Sequence, residues 1–288
     1  MALDRMHWLR KIATLDPDTD YEEIYRIDTM LEFPWDMNQS LGLALYRTYA
    51  VPSIGGLLAR TGEFTERTQK RYDDTGLILT AIGENGLDSP EGRAAIRRMN
   101  QMHGRYGIPN DDMRYVLSTL VTVPIRWLDE YGYRPLSEVE KVASAHYYRR
   151  LGGLMNIKDL PATWQEFGEL MDAYEREHFG YDEGAVAVSE ATLALMATFP
   201  PNDKGPRRLM RRSALALMDD DLLRAFRYDA PTRVEQVLYR GAIKARAALL
   251  RHVPARREPV HFEDLPQVRS YPDGYEIAAL GTFPDGSS

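Results

Sequence analysis

The sequence predicts an all-α protein, and three observations lead there. Apolar residues recur at separations of three and four along most of the chain, the spacing of one helix face. Alternation of period two, which marks a half-buried strand, is rare. Helix-opening pairs such as Ser89-Pro90 and helix-closing glycines such as Gly62 and Gly86 punctuate the periodic stretches.

In chain order, a first helix is expected over 21–31, with Asp20 as cap and Ile24, Ile27 and Leu31 on one face. Glu32-Phe33-Pro34-Trp35 stops it, because the residue before a proline avoids helical backbone. A second apolar helix covers 36–49, and Pro52-Ser53 begins another that carries Ile54, Leu57 and Leu58 and ends at Thr61-Gly62. A long helix follows over 65–82, closed by Gly83 and Asn85-Gly86. Ser89 caps the next, with Pro90 in its first turn, and it runs to about Tyr106 before Gly107 and Pro109. Asn110-Asp111-Asp112 caps a further apolar helix that Pro124 kinks or ends. Helices are also expected over 137–152, 163–177, 189–198, 207–218 and 232–251. Residues 254–288, rich in Pro, Gly and charge, read as an irregular tail packed on a single helical domain formed by 1–253.

The 288 residues include 44% hydrophobic and 27% charged side chains, enough to bury about three quarters of the unfolded surface. Lys plus Arg number 36 against 43 Asp plus Glu, a net charge of -7 that argues against a nucleic-acid partner. Cysteine is absent, which removes disulfides, thiolate-bound zinc, iron–sulfur clusters and thiolate-ligated haem. Residues 1–11 hold Asp4, Arg5, Arg10 and Lys11 with no apolar run between them, unlike a secretory signal. The apolar-rich stretches at 41–46, 115–128 and 185–200 fall short of the roughly 20 uninterrupted residues a membrane span needs. A soluble, cytoplasmic protein with no integral membrane span is expected.

Among His7, His103, His146, His178, His252 and His261 no two stand three to five apart, so a helical zinc pair is missing. No phosphate-cradling glycine loop and no Gly-x-Ser-x-Gly elbow occurs. His103 falls in line with Ile96, Met99 and Tyr106, which turns its ring to the core. That pattern also describes a buried neutral histidine held by a carbonyl or carboxylate. Arg71 and Thr75 put a guanidinium and a hydroxyl on a face that continues as Ile78 and Ile82. An internal ion pair with an Asp or Glu, for which Asp73 and Asp74 are at hand, or the fraying, solvated first half of a helix, is the plainest account of it. His146, beside Tyr147 and Tyr148, is a reserve candidate.

Three runs say more than periodicity does: Lys70-Arg71-Tyr72-Asp73-Asp74-Thr75, then Met99-Asn100-Gln101-Met102-His103-Gly104-Arg105-Tyr106, then Asn110-Asp111-Asp112-Met113-Arg114-Tyr115. In that order they resemble the MpaB-type oxygenases, relatives of the latex-clearing rubber oxygenases. Glu32-Phe33-Pro34-Trp35-Asp36, Arg47-Thr48-Tyr49-Ala50-Val51-Pro52, Pro124-Ile125-Arg126-Trp127, and the closing Ser270-Tyr271-Pro272-Asp273-Gly274-Tyr275 and Leu280-Gly281-Thr282-Phe283-Pro284 extend the likeness over nearly the whole chain.

The resemblance implies a globin-like helical pocket for haem b, with His103 as the iron ligand and Arg71 and Thr75 on the distal side, contacting the cofactor's oxygen-binding face. Rubber-cleaving relatives carry a lysine just before that threonine. This chain has Asp74, as MpaB-like members do, so a lysine-capped resting state is not implied. Asp74 joins Arg71 and Thr75 as a catalytic candidate and, with Glu63, Glu66 and Asp73, as a carboxylate able to remove an allylic proton. The implied reaction uses dioxygen to cleave or oxygenate a carbon–carbon double bond of an apolar substrate, isoprenoids being one such class. A non-enzymatic haem or lipid carrier and a peroxidase-like haem enzyme stay open as alternatives. The sequence sets no oligomeric state.

Overall fold

A computed structural model describes residues 3–200 and 202–281. Among these the chain is all-α: no strand forms, and a single isolated bridge joins Leu3 to Ala255. The helices are α1 (His7–Ile12), α2 (Tyr21–Ile27), α3 (Pro34–Thr48), α4 (Pro52–Arg60), α5 (Glu63–Glu66), α6 (Thr68–Asn85), α7 (Pro90–His103), α8 (Asn110–Tyr131), α9 (Glu138–Leu154), α10 (Trp164–His178), α11 (Glu183–Met196), α12 (Arg207–Ala216), α13 (Asp220–Ala225) and α14 (Arg233–Leu250). A π-helical turn, Asp28–Glu32, continues α2.

Helix α8 is the axis of the packing. It is buried on all sides from Leu117 to Ile125 and lies against α3, α9, α10 and α14. Beside it α6 packs on α7, α2 on α9, α4 on α11 and α12 on α14. The largest core gathers Leu77, Ile78 and Ile82 of α6 with Ile96 and Met99 of α7 and Tyr115 and Val121 of α8. A second core, around Tyr46, Tyr49, Phe64 and Val188, sits between α3, α4 and α11. A third, smaller one holds Ile12, Ile24, Ile27 and Leu31.

Local chemistry explains most boundaries. Ser89, Ser137, Thr163 and Thr232 each accept a backbone N–H of the turn they open, and Glu140 and Glu235 complete capping boxes. Where structure and sequence reading differ, the cause is visible. Asp20 does not cap α2, because its carboxylate accepts the Asp16 N–H instead. Pro34 opens α3 from its first position rather than standing outside it, since a proline there has no N–H to leave unmet. The expected long helix over 65–82 is two, parted at Arg67 (φ -133°, ψ 42°). Helix α7 stops at His103, three residues short of Tyr106. Asn110 begins α8 without capping it, its amide being committed to Lys158. Pro124 does not end α8, which runs on to Tyr131; burial on both sides offsets the lost hydrogen bond. Helix α11 starts at Glu183, six residues earlier than expected, because Asp182 caps it. There Gly55 and Gly184 let α4 and α11 touch: a Cβ on Gly55 would fall 2.5 Å from that of Ala185. Helices α1 and α13 were not anticipated at all.

The π-helical turn buries two acids, Asp28 and Glu32. Arg134 donates to Glu32 (3.0 Å) and in a fork to Glu140 (2.7 and 2.9 Å). Burial and the charge of Glu140 push the Asp28 carboxyl well above its ordinary range. Burial also raises Glu140, but Arg134 outweighs it and leaves that group below its usual value. Of the two carboxyls, Asp28 is thus the one that favours its protonated form.

From Val260 to Gly281 the chain forms a strap across α6 and α7. The Val260 N–H donates to Met30 O (2.9 Å), and the Phe262 ring covers Gly76, where a Cβ would come within 2.0 Å of it. Arg98 of α7 donates to Leu280 O (2.6 Å) and Lys70 of α6 to Gly281 O (3.2 Å).

Candidate functional site

The residues in question lie on two helices that pack together, α6 and α7. Helix α7 places Ile96 and Met99 in the core and His103 on the same stripe at its last turn. The residue as a whole is half-buried, yet its Nδ1 is sealed from solvent and has no hydrogen-bond partner among the described residues. Burial, helped by the positive charge of Arg71, pushes the imidazole down to about 4, so it is neutral at physiological pH.

On α6, Arg71 donates to the Thr75 hydroxyl, which itself donates to Arg71 O (2.9 Å). The guanidinium sits over the Phe64 ring at 5.0 Å. Phe64 meets Tyr49 edge-on at 5.4 Å. Burial pushes the Tyr49 phenol up to about 12, against the opposing effects of the Thr192 hydroxyl and the Arg71 charge. No carboxylate pairs with Arg71 among the described residues.

The expected ion pair is not formed because both neighbouring acids are engaged elsewhere. Asp73 accepts from Gln69 (2.8 Å), from the Arg269 and Ser270 N–H groups (3.1 and 2.9 Å) and from the Ser270 hydroxyl (2.6 Å). Asp74 accepts from Lys70 (2.7 Å) and from the Tyr271 hydroxyl. The structure thus pairs Arg71 with Thr75, leaves the Arg71 charge within electrostatic reach of His103, and binds Asp74 and Asp73 to the strap. Glu63 is held by Arg67 (3.1 Å), and Glu66 is exposed. His146 pairs with Asp18 (3.0 Å), His261 with Glu84 (3.1 Å), and His178 packs on Tyr174.

Tyr49, Phe64 and Thr192 belong to this neighbourhood and were not singled out as site residues. Tyr49 lay inside a quoted motif; for the other two, carried by α5 and α11, the sequence offered no signal.

Residues 36–248 match the family model described as "ER-bound oxygenase mpaB/B'/Rubber oxygenase, catalytic domain". The chain belongs to this family. It is 26% identical over 274 residues to ER-bound oxygenase mpaB' of Penicillium brevicompactum, covering 88% of this chain and 64% of that protein. Against ER-bound oxygenase mpaB of Penicillium roqueforti it is 30% identical over 230 residues, 73% of this chain and 76% of the relative. The P. brevicompactum mpaB matches at 26% over 263 residues, 63% of its own length. The chain thus spans a little under two thirds of the two P. brevicompactum proteins.

Within the matched region, the residues that carry the resemblance divide by what their side chains touch. Asp36 accepts from Trp127 (3.2 Å) and Arg246 (3.2 Å), tying α3 to α8 and α14. Arg47 donates to Glu175 (2.9 Å), which also accepts from Tyr115 (3.0 Å). Asn100 donates to Leu154 O (3.0 Å), and Asp112 accepts from Tyr174. These residues hold helices together. Among the described residues, His103 has no such partner on its inner nitrogen and no carboxylate pairs with Arg71.

Proposed function

We propose that the chain is a haem b-dependent oxygenase that uses dioxygen to cleave or oxygenate a carbon–carbon double bond of an apolar substrate. The observation that carries this reading is the sealed, neutral, unpartnered Nδ1 of His103 beside an uncompensated guanidinium. An orphaned nitrogen of this kind costs about 1–3 kcal/mol, and a bond from its lone pair to a metal would satisfy it. Among the described residues no three His, Asp or Glu converge as a metal site. A porphyrin brings its own four nitrogens and asks the chain for one more, which fits.

His103 would hold the group, and its low basicity keeps the lone pair free at any pH above about 4. Haem supplies an iron able to activate dioxygen. The Arg71 guanidinium would aim its N–H donors where negative charge develops on oxygen. The Thr75 hydroxyl fixes the guanidinium, and Phe64 shields its other side. The apolar walls of α6 and α7, with Ile78, Ile82, Ile96 and Met99, keep water away from that charge and suit a greasy substrate. Asp74 serves here by anchoring the strap that seats α6.

The test is reconstitution with hemin and the visible spectrum of wild type and His103→Ala. The expected outcome is a Soret band at one haem per chain in wild type and its loss in a variant that remains helical by circular dichroism. A colourless wild type, or a variant with unchanged haem content, overturns the assignment. Oxygen uptake with an unsaturated terpenoid then separates oxygenase from carrier.

A further inference from the structure

We infer that the face formed by α12 and α14 docks on an anionic lipid bilayer. The claim concerns a surface away from His103 and stands whether or not the haem assignment does. Helix α14 buries only Ala247 fully. Its outer side exposes Val234 (76%), Val237 (74%), Leu238 (63%) and Leu249 (71%), with exposed Ala242 and Ala245 continuing the same stripe. Six of the nine large hydrophobic residues exposed among the described residues lie between Leu209 and Val253. Scattered exposure is ordinary, whereas one helix face holding most of it marks a contact surface.

Charge decides what covers the stripe. Residues 204–257 contain fourteen Lys and Arg against five Asp and Glu, a local charge of +9 in a chain of net charge -7. Several of these cations are spent internally: Arg211 on Glu190, Arg212 on Glu235, Lys244 on Glu130 and Arg246 on Asp36. Arg207, Arg208 and Arg233 are exposed and meet no carboxylate among the described residues. Arg208 also lines a cavity of about 720 Å³ between α12 and the start of α14, with Leu209 and Thr232 at its wall. A second copy of the chain would oppose this charge to itself across a two-fold axis. An anionic membrane surface accepts both features, apolar side chains entering the acyl boundary and guanidinium groups staying among headgroups. No helix of the described residues is long and apolar enough to span a membrane, so the contact is peripheral.

The experiment is co-sedimentation of the full chain with vesicles of phosphatidylcholine alone and of phosphatidylcholine with phosphatidylserine. Binding at least ~10-fold tighter to the anionic vesicles, weakened by salt, is expected. Two variants, Val237→Asp with Leu238→Asp and Arg207→Glu with Arg208→Glu and Arg233→Glu, are each expected to lose ~10-fold or more of it. All five positions are exposed, so melting temperatures should match wild type. Equal binding to both vesicle types, no binding to either, or unchanged binding by the variants overturns the proposal. So does a lipid-free dimer in sedimentation velocity that Val237→Asp with Leu238→Asp disperses, which would give the face to a second copy.

Discussion

Helix α6 carries Asp73 and Asp74 beside Arg71 and Thr75, four polar residues within five positions, and the fold treats the two pairs differently. The acids are almost completely buried and matched by Gln69, Lys70 and the strap at Arg269, Ser270 and Tyr271. Among the described residues the cation and hydroxyl find each other and the Phe64 ring, and the inner nitrogen of His103 has no partner. Burial of a polar group therefore says little by itself. What separates framework from site is whether the chain supplies the partner.

That contrast can be broken by substitution, and the largest effect is expected on the saturated side. Asp73→Ala leaves two strap N–H groups without an acceptor and should cost about 3 kcal/mol in thermal or urea unfolding, with faster proteolysis near Arg269. A loss below about 1 kcal/mol would mean the strap is held by packing alone. On the other pair the same truncation should spare stability and strike activity. Arg71→Ala is expected to keep haem and fold but to lower oxygen uptake about 100-fold, with Thr75→Ala smaller in the same direction. Full turnover in both would take them out of the chemistry.

The buried acids of the π-helical turn sharpen the comparison through pH. Asp28 is raised in the fold, so below the unfolded value near 3.8 both states hold the proton and nothing is lost. As pH rises through that value the unfolded chain ionises first, and native stability falls until the raised value is passed. Asp28→Asn should flatten that decline and match or exceed wild-type melting temperature at pH 7, while the two proteins converge near pH 3.5. A variant that is less stable at neutral pH would show that ionised Asp28 is needed. The smallest effect belongs to His103→Leu in haem-free protein: an apolar replacement of an orphaned nitrogen should be neutral or stabilising by up to about 1 kcal/mol.

Much of this was legible in the sequence where the cause is local. Ser89, Ser137, Thr163 and Thr232 cap their helices by accepting from N–H groups three residues away, and the inward stripe of Ile96, Met99 and His103 follows from helical geometry. The i,i+4 pairing of Arg71 with Thr75 could be read the same way. What could not be read depends on distant chain. The fate of Asp73 and Asp74 is set by partners nearly two hundred residues downstream. The persistence of α8 past Pro124 depends on the helices packed around it, and Phe64 reaches the Arg71 guanidinium from a separate helix, α5. The Asp182 cap, three residues from the N–H it accepts, is equally local.

Residues 260–281 fasten α6 through Asp73, Asp74 and Lys70 and α7 through Arg98, while Met102, next to His103, lies against Gly281. The two helices that carry Arg71 and His103 are thus clasped by one continuous piece of chain outside both. Lesions in that clasp should register as a wrong gap between two groups that are themselves intact, which makes a silent-looking stretch of coil the gauge that sets the width of the site.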